Sequence, residues 1–303
     1  MMPIQFKVVM ILYMNLKEYD KVDSLVSEMR QKKIPLDVDC YIVWLLCFVD
    51  QGSVEKVEQV FEQMEQDSTV NPDWSSFCLM GSFYIRVGLL EKAEECIKMF
   101  ESRITDQDRI VYYHDAIRLC GNLGKREEVY RAWNVFKKIC PKTLMMDYHT
   151  MISSLVRLGD IEGAEQLYAE WLSVKPTHNP KIEESRIHVH GKEILAEGHI
   201  REKKVSEALS CLKEAVLVRG SKNWKPRPVN VSSILSICEQ NDDMQSKDIL
   251  MGLLSQVGCL EDEAYKFNVP STGGVATVCD EDEDITKRKF FSTNYRLKNA
   301  RGT

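Results

Sequence analysis

A turn glycine and a small residue five positions later recur along this chain at nearly constant spacing. Gly52 is followed by Val57, Gly88 by Ala93, Gly124 by Val129 and Gly159 by Ala164. An aromatic opens each stretch, at Phe6, Tyr41, Phe77, Tyr113 and Tyr148, in steps of 35, 36, 36 and 35 residues. A large apolar residue closes each one: Met29, Met64, Phe100, Phe136 and Trp171. A unit this short cannot bury its apolar face alone. A constant period therefore commits the chain to like units stacked on one another, each covering its neighbours.

The clearest unit is YHTMISSLVRLGDIEGAEQLYAEW, residues 148–171. Met151, Ile152, Leu155 and Val156 recur at helical spacing, and Ile161, Ala164, Leu167, Tyr168 and Trp171 do so again. Gly159-Asp160 stands between them. Glycine there lets the chain leave the first helix through left-handed backbone without a steric penalty. The expectation is two short antiparallel helices, neither stable alone in water.

These hairpins resemble the pentatricopeptide repeat. The likeness rests on an aromatic-led first helix (Y-x-T-h-I-x-x-L), a G-x-h-x-x-A turn, Met or Trp closing the second helix, and units ending IPLD at Asp37 and NPD at Asp73. The 34-residue tetratricopeptide repeat is the nearest competitor, but its W-x-x-L-G opening and terminal proline do not occur in phase. The resemblance covers roughly residues 3–262. It implies an all-α fold, a right-handed α-solenoid of about seven helix-turn-helix repeats.

The expected organisation is five hairpins over 3–173, an irregular join at 174–188, two weaker terminal repeats over 189–262, and a mostly disordered tail at 263–303. In the join, VKPTHNPKIEESRIH has two prolines and few apolar residues, so it reads as a loop. Its origin stays open between an inserted loop and a lost repeat. The sixth unit has Ala208 at the small-residue place. The seventh has Asp242-Asp243 at the turn and Lys247 in place of alanine, as terminal repeats often depart from pattern. The tail carries the acid run 280–284.

Composition is that of a folded protein, 44% hydrophobic and 28% charged, and the net charge of −6 has the wrong sign for coating nucleic acid non-specifically. The apolar run 8–14 is too short to span a bilayer. The opening Met1-Met2-Pro3 is not an Arg/Ser-rich leader, which by itself suggests the cytoplasm. The resemblance instead implies an organelle, the mitochondrion first and the chloroplast second, with an N-terminal part missing from this chain.

Ten cysteines lack C-x-x-C spacing and fall mostly on apolar helix positions, where a free thiol packs as a small hydrophobe. His188 and His190 are the closest histidine pair, with Glu183 and Glu184 nearby, but the spacing matches no metal motif. His114 and His149 follow their opening aromatics without a recurring nucleophile or carboxylate beside them. No phosphate loop, G-x-S-x-G or H-E-x-x-H occurs. The expectation is a non-enzyme with no cofactor, no metal, no membrane and no small-molecule substrate.

In RNA-binding helical repeats each unit reads one base with two or three side chains. The resemblance implies that these follow the opening aromatic and end the unit. Here they are Lys7 with Asp37, Ile42 with Asp73, Cys78 with Arg109, His114 with Leu144, His149 without a clear partner, Glu193 with Arg227, and Ser232. Wedges between bases would be Ile4, Val111, Met146 and Val229, while Asp39, Ser75 and His190 fill the other three places. Of the base-reading set only Ser232 is the small polar type the family favours, and Ile42 and Cys78 offer almost no hydrogen bonding. The implied partner is single-stranded RNA in organellar RNA processing, stability or translation. The alternative is a non-catalytic scaffold for ribosomal or other proteins, or a structural subunit associated with the ribosome.

Overall fold

The computed structural model describes residues 3–102, 109–140, 145–173, 183–218, 224–260 and 262–265. The chain divides into a compact unit, 1–266, and a second, 267–303, which lies outside the described residues together with the expected acidic tail. Among the described residues, all regular structure in the first unit is helical. Seven hairpins follow one another: α1 (Pro3–Asn15) with α2 (Tyr19–Gln31), α3 (Val38–Asp50) with α4 (Val54–Gln66), α5 (Trp74–Arg86) with α6 (Leu90–Ser102), and α7 (Arg109–Asn122) with α8 (Arg126–Ile139). Then come α9 (Met145–Arg157) with α10 (Ile161–Ser173), α11 (Glu183–Arg201) with α12 (Val205–Leu217), and α13 (Pro228–Gln240) with α14 (Met244–Gln256).

Local signals set the boundaries. The aspartates that close the first two units cap the next helix. Asp37 Oδ1 accepts from the Cys40 amide at 2.8 Å, and Asp73 Oδ1 from the Ser75 and Ser76 amides at 3.0 and 3.2 Å. Each satisfies donors that a helix start leaves open. Among the first five units, first helices begin three residues before the opening aromatic, except α7, which begins four before Tyr113. The turn glycines Gly52, Gly88, Gly124 and Gly159 have φ of +67°, +80°, +74° and +75°. Lys17, Lys203 and Asp242 take the same left-handed place in the other hairpins, at +57°, +59° and +51°.

The small-residue ladder marks where paired helices cross. Val57, Ala93, Val129, Ala164 and Ala208 are fully buried, as are the closing residues Met29, Met64, Phe100 and Phe136. Between units, glycine admits close approach. A Cβ on Gly121 would lie 2.9 Å from that of Ser154, and one on Gly198 would lie 2.5 Å from Ile161 Cδ1. Each first helix touches the next, from α1 through α13, whereas among second helices only α12 and α14 approach comparably. The first helices thus form the inner wall of an α-solenoid.

The join differs from expectation. α11 starts at Glu183, so 183–188 is helical and not loop, while 174–182 lies outside the described residues. No proline lies between Pro180 and Pro226, so none interrupts α11, and acidic residues at 183 and 184 suit a helix N-terminus. The Tyr168 hydroxyl lies 2.6 Å from His188 Nδ1, which docks the added turn on α10.

Candidate nucleic-acid interface

The inner wall carries the residues that follow each opening aromatic. The structure gives most of them partners on the adjoining unit. Lys7 on α1 places Nζ 2.8 Å from Asp39 Oδ2 and 3.5 Å from Asp37 Oδ2. Burial pulls the Lys7 pKa down, but the hydrogen bond and charge of Asp39, with Asp37 behind it, outweigh that and raise it. Lys7 and Asp37, expected as two base-facing positions, thus lie within ion-pair distance of each other, with Asp39 as the nearer carboxylate.

Ile42 on α3 is 1% exposed, and its partner Asp73 is occupied in capping α5. Cys78 on α5 is also buried, with an Arg118 guanidinium nitrogen 3.6 Å from its sulfur; the same guanidinium reaches Ser82 and Asp115. Burial, then the Asp115 charge, pushes the Cys78 thiol far above its ordinary range. Arg109 is the first residue of α7, and Leu144 lies outside the described residues.

His114 on α7 has a carboxylate beside it, supplied by the next unit. Its Nε2 is paired with Oδ1 of buried Asp147 on α9. His149 on α9 stacks on His190 of α11, with centroids 4.7 Å apart and rings 2° from parallel. The two members of the His188/His190 pair thus face different elements. Tyr148, Tyr168 and Trp171 line a small cleft at this same boundary.

Glu193 on α11 is 4% exposed and receives the Arg227 backbone N–H at 2.8 Å, and the Arg227 guanidinium reaches Glu197 at 2.6 Å. Ser232 on α13 is half-exposed and donates to the Val229 carbonyl at 2.9 Å. Val229, a wedge position, is 48% exposed.

Sequence reasoning missed Asp147, Arg118 and Glu197 as wall residues. No constant interval marked the first: Lys7 and Asp39 are 32 positions apart and His114 and Asp147 are 33, with Asp39 two places before its unit's aromatic and Asp147 one. The wall satisfies most of its charge internally. It offers imidazole rings and scattered polar groups in place of a row of small hydrogen-bonding side chains. Burial raises the Cys40 thiol to about 12 and those of Cys120 and Cys211 to about 11, which disfavours their thiolates. No group of three or more metal-ligating side chains occurs among the described residues. No helix there is long and apolar enough to cross a membrane.

The PPR repeat model matches residues 39–68 and 147–174. A pentatricopeptide repeat-containing protein of Arabidopsis thaliana is 43% identical over 232 residues, which are 68% of this chain and 44% of that relative. The chain belongs to the pentatricopeptide repeat family. A second Arabidopsis thaliana member, named as mitochondrial, is 27% identical over 309 residues, covering 93% of this chain and 61% of the relative. The Arabidopsis thaliana large ribosomal subunit protein mL101 is 30% identical over 218 residues, 62% of this chain and 44% of that protein. The chain thus spans about half the length of these relatives. The solved structure of the pentatricopeptide repeat protein PPR10 in complex with an 18-nt psaJ RNA element superposes with a TM-score of 0.62 at 15% identity, over 84% of this chain and 35% of that one. The α-solenoid expected from the repeat period, and the pentatricopeptide type expected from the resemblance, are therefore the fold observed.

Proposed function

We propose that this pentatricopeptide repeat chain is a non-catalytic RNA-binding protein acting in organellar RNA metabolism. It would hold single-stranded RNA against its inner wall by ring stacking and phosphate contacts, without reading a base code. The observation that carries this reading is the wall itself. Seven first helices stand in register, with His114, His149 and His190 on them, while the places that would read base edges hold Ile42, Cys78 and the buried Glu193. Aromatic stacking tolerates any base, because every base has a π face. Mitochondrial names among the relatives support the mitochondrion as the compartment, with chloroplast or cytoplasm as alternatives.

A filter-binding titration against single-stranded RNA of mixed sequence, at several salt concentrations, tests the proposal. The expected result is weak binding with a shallow salt dependence, since each neutralised phosphate contributes a slope of only about 0.7 for single strands. No binding at micromolar protein in low salt, with the helical fold intact, would overturn it. The mL101 likeness favours a second reading, a ribosome-associated structural subunit. Salt-resistant co-sedimentation with ribosomes, without affinity for free RNA, would select it.

A further inference from the structure

Four of the chain's six histidines meet at one boundary of the solenoid, between the fifth and sixth hairpins. His149 of α9 stacks on His190 of α11, and His188 of α11 lies against the Tyr168 hydroxyl of α10. His199, near the other end of α11, places Nε2 3.1 Å from Glu165 Oε1 of α10. The neighbouring boundaries are spanned by side chains of fixed charge. Arg126 pairs with Asp160 and Lys137 with Glu170 between the fourth and fifth hairpins, and Arg227 with Glu197 between the sixth and seventh. Lysine and arginine stay charged through the range in which an imidazole gains or loses its proton. Successive first helices run in the same direction. His149 and His190 therefore share one edge of the solenoid with the ends of α10 and α12, while His199 and Glu165 lie toward the turn edge. His190 and His199 are nine residues apart, roughly 14 Å along the helix axis.

We propose that this boundary is a pH-operated hinge: on acidification the fifth and sixth hairpins part at the His149–His190 edge and pivot about the Glu165–His199 pair. Two stacked imidazoles cannot both charge without like-charge repulsion across the stack. His188, two residues before His190, charges beside Lys192, whose ammonium lies 5.0 Å from the centroid of the Tyr168 ring. The carboxylates around this edge are already engaged. Glu214 of α12 holds Lys192 at 2.7 Å, and Glu170 of α10 takes Lys137 and the Tyr148 hydroxyl. Asp147 of α9 takes His114 from α7, and Glu193 of α11 takes the Arg227 backbone N–H. At the turn edge the sign is reversed. A charged His199 is drawn to Glu165 and also faces Glu207 of α12. The cations there are Arg157, which ends α9, Arg201, paired with Glu197, and Lys204, paired with Glu202. Protonation thus loosens one edge of the boundary and tightens the other, which turns one hairpin against the next without unfolding either.

Distances between spin labels on the full chain test this, with the labels on genetically encoded residues because the chain has ten cysteines. Ser173 and Leu217, exposed at the ends of α10 and α12, report the edge that should open. Glu162 and Ser206, exposed at the starts of the same helices, report the turn edge. Between about pH 8 and about pH 5, where imidazoles charge, the Ser173–Leu217 distance should lengthen and the Glu162–Ser206 distance should not, with helical circular dichroism intact. His190→Phe keeps a ring against His149 but removes one of the two charges, and should abolish the lengthening. His149→Phe tests the same stack from the other side, so either variant decides if its partner fails to fold. An unchanged Ser173–Leu217 distance, equal lengthening at both edges, lengthening that survives these substitutions, or loss of helix over the same pH range would overturn the proposal.

Discussion

The imidazole of His149 on α9 lies against that of His190 on α11, with centroids 4.7 Å apart and planes 2° from parallel. The two rings close the boundary between the fifth and sixth hairpins from the inner side, and His190 keeps an exposed face. An exposed imidazole ring can serve as a platform for a base. His190→Ala should weaken single-stranded RNA binding by about 1–3 kcal/mol, the range for one base stack. His114→Ala, whose ring is committed to Asp147, should weaken it less. Filter binding of the two variants beside wild type decides the order.

Acidification should destabilise the protein through His188. Burial first, and then the Lys192 charge, lowers its pKa from 6.5, with Glu214 partly opposing. The unfolded chain therefore takes up this proton at a higher pH than the folded one. The stabilisation is fully present above pH 6.5 and is lost as pH falls through the folded pKa. Thermal midpoints measured on either side of pH 6.5 should drop on the acid side, and His188→Gln should flatten that drop.

Ala164 is fully buried where α9 and α10 cross. Ala164→Arg overpacks that crossing and buries a charge, at a cost of about 3 kcal/mol or more. Urea denaturation followed by circular dichroism should show a lower midpoint. An unchanged midpoint would mean that the crossing lies elsewhere.

Lys203 and Gly124 occupy equivalent turn places, at φ of +59° and +74°. Left-handed backbone costs an L-residue roughly 1–2 kcal/mol, part of which glycine returns as unfolded-state entropy. Lys203→Gly should stabilise the chain by about 0.5–1 kcal/mol, and Gly124→Ala should destabilise it by about 1 kcal/mol. Chemical denaturation of both variants gives the signs.

The repeat period, turn glycines, capping aspartates and small-residue ladder were legible because each acts within one hairpin or at one step of the period. Residues close in sequence, or a constant interval apart, must meet once a helix pair exists, so the sequence alone determined the solenoid and its register. The proline-containing join misled, because helical propensity resumed at Glu183, and the docking of His188 on Tyr168 links residues across that join. Tertiary structure alone decided what the inner wall presents. Whether Ile42 is covered, whether Arg118 lies over Cys78, and whether His114 finds Asp147 depend on how far one hairpin rotates over the next. That rotation is fixed by inter-unit packing, such as the Gly121–Ser154 and Gly198–Ile161 approaches, and no single repeat encodes it.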